Sequence, residues 1–346
     1  TDLGRAQAAR LTSRYGGVWN ARGHRENIVR QALAALHLHV RDKHYIVDEG
    51  RVRIVDEYTG RVMADRSWER GLHQMVEAKE GLEISGRQET LARISYQRFF
   101  RRYLRLAGMT GTAQEVAGEL WAVYGLNTVR IPTNRPQARK IHGDLLYPTS
   151  RAKWQAIAEQ VTELHQSGRP VLVGTRSVAD SEHISGLLNE AGIQHSVLNA
   201  RQNRTEAEIV AQAGQPGRVT VATNMAGRGT DIRLAPGVGE VGGLFVIASE
   251  RHEAGRIDRQ LFGRSGRQGD PGEGQAMVSL DDELVRSVFG SLLDRLRSTH
   301  LPGWLGRMLF SWAQRTTERR HSAIRKRLLH SDESLQDLLA FSGRGE

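Results

Sequence analysis

Between Pro170 and Ser279 the chain repeatedly sets a short apolar run ahead of a helix-patterned stretch, and this alternation restricts the fold more than any other feature. Pro170-Val-Leu-Val-Gly174 precedes a helical stretch from Val178 to Ala191, and Ser196-Val-Leu198 precedes one near Thr205 to Gln212. Val219-Thr-Val-Ala222 runs into a glycine-rich loop. Leu244-Phe-Val-Ile247 leads to a helix over Gly255 to Phe262, and Ala276-Met-Val-Ser279 closes the series. Apolar strands separated by helices belong to a parallel sheet covered on both faces. Ligands of such sheets sit beyond the carboxyl ends of the strands, which is where both glycine-rich loops of this region are expected.

Those loops are Ala222-Thr-Asn-Met-Ala-Gly-Arg-Gly-Thr-Asp231 and Gln260-Leu-Phe-Gly-Arg-Ser-Gly-Arg-Gln-Gly269. They carry Arg228, Arg264, Arg267 and Asp231 among glycines that include Gly227 and Gly229. Glycine adds no side chain and tolerates positive φ, so backbone N–H groups and guanidinium forks reach phosphate closely. Arginine grips two phosphoryl oxygens at once, which lysine does not. The pattern is half of a nucleotide site. The other half is missing, because a Walker A loop needs lysine after glycine. Lys43, Lys79, Lys140, Lys153 and Lys326 all follow other residues. Val52-Arg-Ile-Val-Asp-Glu57 has the look of a strand with paired acids, but without a P-loop it reads as a strand followed by a turn at Tyr58-Thr-Gly60.

Outside this region the pattern is less regular. Residues 1–40 are helical in spacing, with Ile28, Leu33, Leu36 and Val40 apolar, followed by strands Tyr45–Val47 and Val52–Val55 around the turn-prone Asp48-Glu-Gly50. A helix is expected over Ser67–Lys79, a long one over Thr90–Leu106 and another over Glu115–Tyr124, then a strand at Thr128–Ile131 and an extended linker at Pro132–Pro136. From Asp281 onward the chain is helical with a break at Pro302-Gly303, and Trp304, Leu305, Met308, Leu309 and Trp312 share a face. That stripe suits packing on neighbouring domains better than a membrane surface. At 346 residues, two or three domains are expected. The chain starts without Met and is read as a fragment or a processed form. The net charge of +10 points to an anionic partner, although 44 of the 49 basic residues are Arg, a bias that genome composition also produces. With no cysteine, disulfides and thiolate metal sites are excluded.

Several longer strings resemble those of SecA, the motor ATPase of bacterial preprotein export. They are Ile54-Val-Asp-Glu-Tyr-Thr-Gly-Arg61, Gly71-Leu-His-Gln-Met-Val-Glu-Ala-Lys-Glu-Gly81, Leu106-Ala-Gly-Met-Thr-Gly-Thr-Ala113 and Val129-Arg-Ile-Pro-Thr-Asn-Arg-Pro136, together with the two arginine loops. The resemblance implies an α/β fold: a RecA-like parallel-sheet lobe of the helicase C-terminal kind, a small α+β domain before it and a helical extension after it. It divides the chain into part of a preprotein cross-linking domain (1–85), the returning end of the first nucleotide-binding domain with its linker (86–137), the second nucleotide-binding domain (138–285) and the start of the helical scaffold (286–346).

The resemblance implies that ATP binds between two lobes, with Mg2+ held by the lobe missing here. Arg264, Arg267 and Arg228 would act as catalytic arginines, with Asp231, Gly227, Gly229 and Arg256 binding the nucleotide. Thr110 and Thr112 resemble a coupling motif, and turn capping accounts for them equally well. The implied partners are preprotein and the SecY channel, with anionic lipids admitted and nucleic acid disfavoured. The implied location is cytoplasmic, peripheral to the inner face of the plasma membrane. By itself the chain is expected to be inactive. Phe262 stands where the family commonly has arginine, and the chain ends before the two-helix finger and zinc tail of many members. Two other readings stay open: a helicase-type nucleic-acid motor lobe and a degenerate accessory protein.

Overall fold

The computed structural model describes residues 1–13, 15–56, 62–63, 65–86, 94–198, 206–223, 230–290, 292–293 and 303–341. Contacts divide the chain into Thr1–Thr90 with Ser177–Ala179, and Leu91–Arg176 with Asp180–Glu346.

In the first unit, α1 (Asp2–Thr12) opens with Thr1 accepting from the Gly4 amide, and α2 (Arg22–His37) follows. Strands β1 (Tyr45–Asp48), β2 (Arg51–Val55) and β3 (Val62–Met63) form an antiparallel meander. Its first turn places Glu49 (φ 49°) and Gly50 (φ 72°) in the left-handed region, the geometry that closes a two-residue hairpin. The Walker-B-like string thus lies in a meander and not in a parallel sheet, while Glu57 and the expected turn after it fall outside the described residues. Helix α3 (Leu72–Lys79) is shorter than expected. Ala35, Tyr45, Val52 and Val76 make the small core, whereas Leu33 and Leu36 are exposed. The Lys79 ammonium donates to the carbonyls of Ala35 and His39, tying α3 to α2.

The second unit holds a seven-stranded parallel sheet. Its strands are β4 (Arg139–Ile141), β5 (Leu145–Tyr147), β6 (Val171–Thr175), β7 (His195–Leu198), β8 (Val219–Thr223), β9 (Leu244–Ala248) and β10 (Gly272–Ser279). The order is β4-β10-β9-β6-β8-β7, and β5 pairs with the far half of β10. The helices are α4 (Tyr96–Phe100), α5 (Ala117–Tyr124), α6 (Ser150–Gln166), α7 (Val178–Glu190), α8 (Glu206–Gln212), α9 (Gly255–Phe262), α10 (Glu283–Phe289) and α11 (Gly303–Phe341). Side chains alternate across each strand, so one sheet feeds two cores. Val171, Val173, Val219, Val221, Phe245 and Ile247 join Trp154, Ile157, Val161, Ile184 and Leu188 on one face. Leu172, Ala222, Leu244, Val246, Ala276 and Val278 join Leu261, Phe262, Leu284 and Phe310 on the other. Each such aliphatic side chain, fully buried, contributes roughly 1.5–3 kcal/mol.

Four expectations change here. Thr128–Ile131 forms no strand: Val129 and Ile131 are exposed, and no neighbouring strand takes up their backbone groups. The helix expected over Thr90–Leu106 reduces, among the described residues, to Tyr96–Phe100. Helix α6, capped by Thr149 accepting from the Ala152 amide, was not anticipated, nor were β4 and β5. On α11 the expected stripe faces outward at Trp304, Met308 and Trp312. Gly306, Phe310, Ala313 and Thr317 form the buried face instead.

Two strand glycines set how closely α9 lies on the sheet. A Cβ on Gly174 would sit 2.5 Å from Leu261 Cδ2, and one on Gly274 would sit 2.6 Å from Phe262 Cδ1. Gly174→Ala is therefore expected to cost about 1–3 kcal/mol, read by denaturant unfolding. Leu261→Ala opens the space that the new methyl needs. A double-mutant cycle should show a compensating coupling; strictly additive losses would refute this packing.

Candidate functional site

Helix α9 begins after the carboxyl end of β9 and runs back along the sheet, so the loop that follows it arrives at the amino end of β10. The Gly263–Asp270 loop therefore lies at the opposite edge from the one expected by analogy with ligand sites of parallel sheets. Gly266 (φ 64°), Gln268 (φ 54°) and Gly269 (φ 86°) take left-handed conformations, and the Asp270 amide donates to the Arg267 carbonyl at 2.8 Å. Such backbone curls concentrate N–H groups that suit an anion.

Arg267 donates from Nε to the Gly263 carbonyl at 3.0 Å and from Nη1 to Asp231 Oδ1 at 2.8 Å. Its side chain is 41% exposed and that of Asp231 is 47% exposed, so the pair adds well under about 1 kcal/mol of stability. Its effect is to aim the guanidinium. Arg264 is half-buried and lines a small void with Leu172, Thr220, Ile232 and Leu261. Arg267, Asp231 and Arg264 thus converge on one region. Arg256 does not join them. It sits in the first turn of α9, roughly 12 Å of helix away from the loop. There Arg325, donating to both oxygens of Glu119, holds that carboxyl below its ordinary range against burial, and Ser322 and Arg256 add to the effect. Arg228, Gly227 and Gly229 lie outside the described residues.

The segment before the sheet braces this loop. The Thr112 amide donates to Thr110 Oγ1 at 3.2 Å, closing a turn, and Gln260 on α9 reaches Thr112 Oγ1 at 3.4 Å. Glu115 pairs with Arg259. Arg135 donates to the Gln268 carbonyl at 3.1 Å and Arg139 to the Ser265 carbonyl at 3.0 Å. Sequence reading assigned no role to either arginine, although Arg135 lies in the Pro132–Pro136 linker and Arg139 follows it closely. Phe262 is buried, and the Arg251 guanidinium lies 5.6 Å from its ring.

The carboxyl edge of the sheet is filled by ionic side chains. Fully buried Lys153 meets Asp282 Oδ1 at 2.7 Å and Glu250 Oε1 at 3.5 Å. Asp282 also accepts from the Ser279 amide and hydroxyl. Burial nonetheless raises its carboxyl, against the pull of Lys153 and of the Ser279 hydrogen bonds. Burial, then the neighbouring Asp282, push Glu250 up to about 7 against the pull of Lys153. Arg251 bridges Asp144 and Asp258, and Gln314 of α11 donates to Asp258 and to the His252 carbonyl. Burial raises Asp258, yet the His252 hydrogen bond and the Arg251 charge outweigh it and leave that carboxyl low. This edge has become a docking seat for α11.

Fit to a nucleotide is thus partial. Arg264, Arg267 and the curled backbone suit phosphoryl oxygens. Among the described residues no group of three or more His, Asp or Glu is placed to hold a metal, and no helix is long and apolar enough to cross a membrane.

Comparison with known proteins gives the following. The SecA preprotein cross-linking domain family matches residues 1–77, and the SecA P-loop domain family matches residues 136–239 and 235–300. The protein translocase subunit SecA 2 of Nitrosospira multiformis is 53% identical over all of this chain, which covers 53% of that protein. SecA 2 of Bordetella avium is 50% identical over the whole chain and 53% of its own length, and SecA of Chlorobium limicola is 52% identical over 91% of the chain and 31% of its own. The chain spans about half the length of the first two. A chain in the crystal structure of the E. coli DEAD-box protein SrmB with RraA overlaps 49% of this chain at 22% identity and a TM-score of 0.34, a likeness that carries no functional weight.

Glu250 yields a pH prediction. An acid raised on folding favours the folded state most below its unfolded value of 4.5, and that advantage fades as pH rises through about 7. Melting temperature should fall from pH 5 to pH 8, and Glu250→Gln should flatten the fall by an amount equivalent to about 1–3 kcal/mol. An unchanged slope in the variant would exclude Glu250 as the titrating group.

Proposed function

The chain belongs to the SecA family, and from that membership we propose that it supplies the arginine-bearing wall of the ATP cleft in a protein-translocating ATPase. The observation that carries this reading is the convergence of Arg267, Asp231 and Arg264 at the amino edge of a RecA-like sheet, where Asp231 holds the half-exposed Arg267 guanidinium. Bound ATP supplies the phosphoryl group whose transfer to water releases energy. Arg267 and Arg264 then place fixed positive charge where the transferring group becomes most negative. Arg228 joins them in this proposal on the strength of its position in sequence, with Gly227 and Gly229 letting the backbone approach. Asp231 orients Arg267 and faces the nucleotide. Arg256, bound up with Glu119 and Arg325, supports α9 from its far end.

Mg2+ and the β- and γ-phosphates are held, in this reading, by a Walker A lobe carried elsewhere in the complete motor. Residues 1–85 form part of a preprotein clamp, and exposed Leu33, Leu36 and Leu38 on and after α2 suit an unfolded apolar segment. Residues 86–137 return from a first nucleotide-binding domain, 138–285 form the second, and 286–346 begin the scaffold. The partners are preprotein and the SecY channel. The place of action is the cytoplasmic face of the plasma membrane, where the net charge of +10 suits anionic lipid.

The test is ATP turnover. This chain by itself should release no phosphate. In the complete motor, Arg267→Ala should lower kcat by about 1,000-fold, in the range seen when an arginine finger is lost, with Arg264→Ala comparable. Turnover by the chain alone, or a complete motor indifferent to both substitutions, would defeat the assignment.

A further inference from the structure

We propose that Arg139 is a positioning residue for the Gly263–Asp270 loop, acting on ATP turnover through Arg267 without touching phosphate, with Arg135 as its second brace. The inference rests on the ATP reading above and adds to it the group that shapes the arginine loop.

Register places Arg139 beside the loop. Strand β4 pairs in parallel with β10, and Arg139 stands opposite Gly272, the residue at which the loop rejoins the sheet. Its stem then lies along the loop itself. A Cβ on Gly266 would be 2.5 Å from Arg139 Cβ, and one on Gly269 would be 3.1 Å from Arg135 Cδ. Gly266 is also at φ 64°, so only glycine meets both demands there.

The two guanidinium groups take hold of carbonyls that bracket Arg267. Arg139 Nη1 donates to Ser265 O at 3.0 Å and Arg135 Nη1 to Gln268 O at 3.1 Å. In a trans peptide the carbonyl and the following N–H point in opposite directions. Holding Ser265 O and Gln268 O therefore fixes the peptide planes on either side of Arg267, so the turn that carries its side chain keeps one orientation. Charge acts in the same sense. Burial, then the positive charges of Arg259 and Arg267, lower the proton affinity of Arg139, so Arg139 and Arg267 repel each other. That repulsion pushes the Arg267 guanidinium away from the stem of the loop and toward Asp231. Among the described residues no carboxylate ion-pairs with Arg139, so its charge acts on its cationic neighbours without a local counterion.

The experiment compares Arg139→Met, Arg139→Lys, Arg267→Ala and the Arg139→Met/Arg267→Ala double variant in the complete motor. It reads kcat, KM for ATP and melting temperature. Methionine keeps the stem that packs on Gly266 and removes the donor together with the charge. Arg139→Met should lower kcat by about 10- to 100-fold, the scale expected of a small misplacement, with KM within about twofold. Arg139→Lys, which keeps one donor for Ser265 O, should recover most of the loss. In the double variant the Arg139 effect should vanish, because its agent is gone. Four results would overturn the proposal: unchanged kcat in Arg139→Met while Arg267→Ala is impaired; an equal further loss in the double variant; no recovery by lysine; or a fall in kcat that simply follows a lower melting temperature. If Arg267→Ala itself has no effect, Arg139 has nothing to position and this proposal falls, whereas the ATP reading falls only if Arg264→Ala is silent too.

Discussion

The close seating of α9 on the sheet is the constraint on which the rest of this lobe depends. Leu261 and Phe262 enter the sheet surface over Gly174 and Gly274, and no larger residue at those strand positions leaves room for them. The start of the helix is fixed as firmly. Asp258 accepts from the His252 amide and ring, from Arg251 and from Gln314 of α11. A helix held at both ends delivers its C-terminal loop to one place, and the arginines on that loop inherit the precision of the core beneath them. The placing of these arginines is a consequence of packing.

The carboxyl edge of the sheet tells a complementary story. Open parallel sheets commonly keep that edge for a ligand. In this lobe Lys153, Asp282, Glu250 and Arg176 occupy it, and α11 is docked beside it through Gln314 and Glu318. Removing one partner from so buried a group is costlier than the pair is stabilising, since the survivor is left charged and dry. The lobe has thereby given its customary ligand edge to structure, while Arg264 and Arg267 stand at the other edge.

What the sequence made legible follows from how much apolar burial each element carries. Strands β6, β8 and β9 are buried along their whole length, and their unbroken apolar runs stood out. Strands β4 and β5 are three residues each, half-exposed, and held mainly by backbone pairing to β10, so side-chain pattern gave no sign of them. Thr128–Ile131 erred the other way: β-branched residues suggested a strand, but propensity without a pairing partner yields only exposed coil. Helix α6 was readable from Thr149 and the spacing of Trp154, Ile157 and Val161. The arginine loop is legible from its own glycines and arginines, but its edge of the sheet is not. Direction depends on α9 running back across the sheet, which the loop's own residues do not encode. Arg139 and Lys153 escaped notice because each takes its meaning from a partner more than a hundred residues away.

The contact between Asp231 and Arg267 has a final implication. Water reaches both groups, so their attraction is screened and easily exchanged. A deeply buried carboxylate would have captured the arginine, and a nucleotide would then have had to tear it loose. Held as it is, the guanidinium stands ready to trade one oxyanion for another with little change in energy, and the direction of that trade is left to whichever anion carries more charge.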